Sequence, residues 1–322
     1  MSAEQDIPAP VTGAAFVGGV GMGATGEGLV MTETGQAFKV HDGAILCAVA
    51  SPDGSAFVTG GDDGKLVATT PAGESRLIAD FKGKWVNHLV AGAESGALVA
   101  AVGNQALVWT DLSAPPATRF AHPSTVSGLA LDAKGRRLAV SHYGGATLRY
   151  VLAKDDPGSV LKWAGSHIGV AIAPDASYVV TAMQEFGLHG WRVADKKDLR
   201  MAGYEMKTRS MSFEHKGRAL ATSGADCAVV WPFIGKDGPM GKPPALLAQR
   251  QAASTAVAFH PQANDLAIGY SDGAVVIANL EGPPATTWAT PSGWPISCLL
   301  WSEDGTRLAA GDEGGNLAVG PA

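Results

Sequence analysis

The sequence predicts an all-β fold: one ring of four-stranded antiparallel sheets, built from a block that returns about every forty residues. Three observations predict it. A turn of the type Ser-Pro-Asp-Gly recurs, with its last position at Gly54, Gly96, Gly135, Ala176, Gly217, Ala263 and Gly305, at intervals of 42, 39, 41, 41, 46 and 42 residues. Three and four residues later each copy carries an apolar pair, from Phe57-Val58 through Leu220-Ala221 to Leu308-Ala309. Each apolar run is short and ends in Gly, Pro, Asp or Asn, whereas helical repeats need roughly 10–15 residues with a 3.6 period. A fixed period of this length means that units stack because none can bury its apolar face alone.

Residues 41–80 show the unit most clearly. Ala44 to Ala50 is an apolar run suited to a strand covered on both faces. Ser51-Pro52-Asp53-Gly54 is a turn, in which Pro presets φ and Gly takes the left-handed position. Ala56 to Gly60 is the second strand and Asp62-Asp63-Gly64 a tight hairpin turn. Leu66 to Thr70 is the third strand, and Ser75 to Ala79 the fourth and most polar one. Four strands of falling apolarity describe a propeller blade, whose first strand lines the centre and whose last faces water.

The units fall at residues 11–40, 41–80, 81–120, 121–163, 164–202, 203–250, 251–290 and 291–322. The first is degenerate. Val11 to Val17, Val20 to Thr25, Leu29 to Thr32 and Gln36 to Val40 could be its strands, or Gly13 to Val17 could lie on the second-strand column. The count favours eight blades, with seven as the alternative. The last unit ends after its third strand, and an open edge is a liability. Residues 4–9 are expected to fill it in an eight-bladed ring.

The block resembles a WD40 repeat, in the degenerate bacterial type. The resemblance rests on the Ser-Pro-Asp-Gly turns, on the Asp of the second turn and on the Trp that follows it. Residues 220–231, with Asp226 and Trp231 in register, match the family's strand–turn–strand. Trp109-Thr110-Asp111 and Trp191 to Asp195 resemble the Trp-Asp end of the third strand, and His41, His122 and His167 stand where a family repeat opens with Gly-His. Most units lack the terminal Trp, so the His–Ser/Thr–Asp–Trp network of strong WD40 repeats should be incomplete in every blade. Asp226, Trp109, Trp191 and Trp231 are expected to be structural, with Asp226 capping its turn. The resemblance implies a rigid, non-catalytic scaffold that binds a protein or peptide.

Composition narrows the partner. Net charge is −6, and no basic run exceeds Lys196-Lys197, which argues against nucleic acid. No apolar run approaches the roughly 20 residues of a membrane span, and no secretory signal is visible, so a cytoplasmic protein is expected. Cys47, Cys227 and Cys298 lack CxxC spacing and read as reduced thiols. The chain is expected to be a monomer by itself.

Catalytic signals are weak. There is no GxSxG elbow, and Gly18 to Gly23 has no Lys-Ser/Thr and no helix after it to cradle phosphate. His41, His122 and His167, with Asp62, Asp63, Asp226 and Asp272, share one rim, but each reads better as a group capping its own blade than as a metal ligand. No cofactor is expected. Asn87, His88, Arg209 and Ser210 are the polar exceptions among apolar inner strands; a channel-facing ligand site at His88 and Arg209, or an enzyme, is the alternative function. The rim itself is the expected binding surface, through His41, Asp63, Trp85, His167, Glu185, Arg209 and Trp294, since Trp and Arg dominate interface hot spots. The insertions Ile234 to Pro244 and Lys154 to Gly158 should lie on the opposite face.

Overall fold

The protein is described by a computed structural model over residues 9–322. Thirty-one strands form eight antiparallel sheets, and no helix occurs among the described residues. Seven sheets have four strands in sequential order, and the eighth has three. The first unit is a complete blade, with strands Val11–Val17, Val20–Thr25, Leu29–Thr32 and Ala37–Lys39. The first of its two possible registers is therefore adopted, and the ring has eight blades. In the eighth blade, Ile296–Trp301, Arg307–Asp312 and Leu317–Pro321 pair in order. The strand expected from residues 4–9 falls outside the described residues except for Ala9, which lies against Gly315 in the turn before that blade's third strand.

The core lies between blades. Val58, Leu66 and Ala68 of blade 2 pack on Leu98, Leu107 and Trp109 of blade 3, and the same arrangement recurs round the ring. The second and third strands are buried on both faces, while fourth strands such as Ser75–Asp80 are largely exposed. Each blade thus covers its neighbour, as a stacked repeat must.

One column of small residues sets how close the blades approach. Ala24, Gly60, Ala101, Ser141, Ala182, Ser223, Gly269 and Gly311 stand at equivalent places on the second strands. A Cβ on Gly60 would lie 2.5 Å from a methyl of Val86, and one on Gly311 2.5 Å from a methyl of Val11. The leading residue of the next blade fills that space. Beside it, the first strand bulges: its pairing register slips between Val11 and Gly13, Ile45 and Cys47, Ser254 and Ala256, and Ile296 and Cys298. A bulge re-aims one side chain. Here Thr255 Oγ1 donates to the Ile296 carbonyl oxygen at 2.6 Å, and Ser297 Oγ to that of Val11 at 2.6 Å.

Candidate functional site: the upper face

The links between blades and the turns from second to third strand share one end of the ring, here called the upper face. Several blades hold these loops with a hydrogen-bonded cluster. In blade 2, His41 Nε2 bonds Thr59 Oγ1 at 2.9 Å and Nδ1 bonds Asp63 Oδ1 at 3.0 Å. The Asp63 carboxylate also accepts the N–H groups of Lys65 at 3.0 Å and Asp42 at 3.1 Å. Burial opposes its charge, but the bonds from His41 and these N–H groups hold its carboxyl below the usual range. In blade 5, His167 bonds Thr181 Oγ1 at 2.7 Å and the Trp163 carbonyl oxygen at 3.0 Å. Blade 6 uses a tyrosine where these have histidine. Trp231 Nε1 donates to Tyr204 Oη at 2.7 Å, and Tyr204 Oη bonds Thr222 Oγ1 at 2.6 Å. Each network lacks a member: blade 2 the Trp, blade 6 the Asp.

This corrects three rim assignments. His41 and His167 are each only 1% exposed, and Asp63 spends its carboxylate on its own blade. None is free to meet a partner, because a buried imidazole must bond within the fold. Asp226 is corrected too. It is exposed, and its carboxylate accepts Gln249 Nε2 at 2.8 Å instead of capping the turn. Asp63, Asp272 and Asp312 cap such turns, Asp272 accepting the N–H of Ala274 at 3.0 Å and Asp312 that of Asn316 at 2.9 Å. Trp109, Trp191 and Trp231 are buried.

Four of the expected residues do face solvent: Trp85 at 58% exposure, Trp294 at 43%, and the charged Glu185 and Arg209. Three more exposed apolar side chains join them, Tyr143, Phe186 and Met206. The sequence holds a signal for two: Tyr143-Gly144 and Phe186-Gly187 each put an aromatic residue directly before Gly in a second-to-third strand turn. Phe186 also has a positive φ of 59°, uncommon for a bulky residue.

Trp163 and Trp288 pack into the ring instead. The Trp163 ring stacks on His189 at 4.1 Å, and Trp288 Nε1 donates to the Pro321 carbonyl oxygen at 2.8 Å.

At the upper mouth of the channel lies a cavity of about 460 Å³. Phe186, Met206 and Lys207 wall one side, Pro295 and Glu313 the other. Arg209 faces Glu313 at 3.6 Å, a pairing from blade 6 to blade 8 that passes over the small residues Ala253 and Ser271 of blade 7. Both side chains are exposed, so the pair contributes little stability. Arg209 lines this cavity and His88 does not. Among the described residues no group of three His, Cys, Asp or Glu could hold a metal. The thiols are poor nucleophiles: burial pushes Cys47 up to about 12 and Cys298 to about 11.

The lower mouth is a cavity of about 1090 Å³, floored by Ala14, Ala48, Ala50 and Leu300. Two of its carboxylates, Asp53 and Asp304, serve their own turns. Asp53 accepts from Ser51 and Ser55, and Asp304 from Ser302 and Thr306, bonds that hold Asp304 down to about 2. The 234–244 insertion lies on this lower face and is tied to blade 5 by the Lys197–Asp237 ion pair at 2.9 Å.

Fold and site together define an eight-bladed β-propeller with degenerate histidine networks at the openings of its blades. A family model, WD domain, G-beta repeat, matches residues 32–67 and 282–319, each running from a fourth strand or the turn before it into the next blade's third strand. These two segments of the propeller are therefore similar to WD40 repeats. No curated protein matches its sequence. Among solved structures, the crystal structure of the computationally designed Ika8 protein is similar in fold, with a TM-score of 0.77 over 98% of this chain and 97% of that one, at 16% identity. WD40 propellers are generally non-catalytic scaffolds that bind proteins.

Proposed function

We propose that this protein is a non-catalytic scaffold whose protein or peptide partner docks on the upper face. One observation carries the reading: Trp85, Tyr143, Phe186, Met206 and Trp294 are all exposed there, on loops held by a rigid ring. Exposed aromatics are efficient anchors, and a stiff platform loses little entropy on binding. Arg209 sits among them with a weak partner that a ligand carboxylate could replace.

The test is capture of partners from the native cell by the immobilised protein. Trp85→Ala and Trp294→Ala should each weaken capture at least tenfold with the thermal midpoint unchanged. Early melting of both variants would make those tryptophans packing residues. Loss of capture on deleting Lys236 to Lys242 alone would move the site to the lower face. A second reading, a small-ligand binder or enzyme using the axial channel, draws on the lower cavity, whose volume of about 1090 Å³ lies just above the roughly 300–1,000 Å³ of ligand pockets.

A further inference from the structure

The outer flank of blade 6 carries a groove that shares only Met206 with the anchors of the upper-face reading. We propose that it is a second docking site, and that its occupant is an extended segment of a partner in which an apolar side chain neighbours Lys or Arg.

The groove exists because of a long link. Nine residues, 202–210, join Lys197–Met201 to Met211–Phe213, while the other links between successive blades have four to six. A cavity of about 370 Å³ lies between this link and the outer strands of blade 6. The fourth strand beside it, Ala245–Leu247, is only three residues long and is the edge of its sheet. Such an edge offers backbone groups to an added extended segment.

The walls are apolar and the rim is acidic. Leu246 is 60% exposed and Met206 40%, and both line the groove. Met adapts to varied side chains. The floor is fixed, because Tyr204 and Trp231 are committed to each other and to Thr222. Glu205 and Asp226 also line the groove, and no Lys or Arg does. Neither carboxylate has an ion pair among the described residues; Asp226 takes only the Gln249 amide. An exposed apolar wall beside two unneutralised carboxylates complements an apolar residue next to a cation. Electrostatic complementarity of this kind sets specificity and register.

The experiment selects peptides from a random dodecapeptide phage library on the full-length protein. The enriched sequence should place Leu, Ile, Phe or Met within two residues of Lys or Arg. A fluorescein-labelled peptide of that sequence should bind at least tenfold more weakly to the E205K/D226K protein and to L246D, at unchanged thermal midpoints. The same peptide with its Lys and Arg exchanged for Glu should bind E205K/D226K better than wild type. The W85A/W294A protein should bind the original peptide as wild type does, so this site and the upper-face site stand or fall separately. Enrichment of no such pattern overturns the proposal. So does equal binding to wild type, E205K/D226K and L246D, or loss of binding in W85A/W294A.

Discussion

Ser297 Oγ donates to the carbonyl oxygen of Val11 at 2.6 Å, across the seam where the last blade meets the first. Thr255 makes the same bond to Ile296 one blade earlier, at 2.6 Å. Ser127 bonds the His167 carbonyl oxygen in the same way. The seam is therefore built like an ordinary joint between blades. At its lower edge Arg307 adds an ion pair with Glu33 and a bond to the Gly19 carbonyl oxygen at 2.8 Å.

Ser297→Ala should cost about 1 kcal/mol, the usual net worth of one hydrogen bond, and Thr255→Val about the same. Urea unfolding of the two variants measures this. Equal losses would show that the seam is not weaker than an internal joint; an unchanged midpoint for both would remove these bonds from the account.

Gly311→Val and Gly60→Val should each destabilise by about 1–3 kcal/mol or more, as overpacked core positions do. In each case the new side chain occupies the space of Val11 or Val86. Pairing Gly311→Val with Val11→Ala should recover part of the loss, and thermal melts of the double variant test that.

Asp63→Ala should cost about 1–3 kcal/mol, because it leaves Nδ1 of buried His41 unpaired and two loop N–H groups uncapped. Asp226→Ala should fall within about 0.5 kcal/mol of wild type, as exposed substitutions do. Chemical denaturation of the pair checks the contrast.

Acid should weaken the fold through buried histidines. His122 is 5% exposed with no partner for either ring nitrogen, and burial lowers its pKa from 6.5 to about 4. His189 is lowered to about 4 by burial as well. Above pH 6.5 both are neutral whether the chain is folded or not. Below it the unfolded chain takes up protons that the folded chain refuses, so stability falls until about pH 4 and then levels. His122 should contribute a loss of about 1–2 kcal/mol between pH 6.5 and 5. His122→Phe should flatten the curve over that range, measured by denaturant midpoints at each pH.

The repeat and the strand order were legible because turn chemistry is local: Pro, Asp and Gly act within four residues; the first blade, which lacks the Ser-Pro-Asp-Gly turn, left two registers open until the structure chose one. Exposure was not. His41 and Trp85 both precede a first strand, yet His41 turns inward to Thr59, a partner 18 residues away, while Trp85 faces solvent. Tyr204 replacing histidine was hidden for the same reason, since its partners Thr222 and Trp231 lie 18 and 27 residues away. The small-residue column was in plain view, but its meaning depends on a side chain of the following blade.

The bond between Ser297 and Val11 also bears on how the chain folds. Each blade pairs neighbours in sequence, so its hairpins can form early and alone. The seam joins residues 286 positions apart. Bringing such distant points together costs about 5 kcal/mol in chain entropy by the logarithmic loop law. That cost falls as blades stack, because each finished joint shortens the free chain. Closure should therefore be the last event of folding and the first to reverse, and hydrogen exchange should begin at Val11–Val17 and Ile296–Trp301 while the blades opposite remain protected.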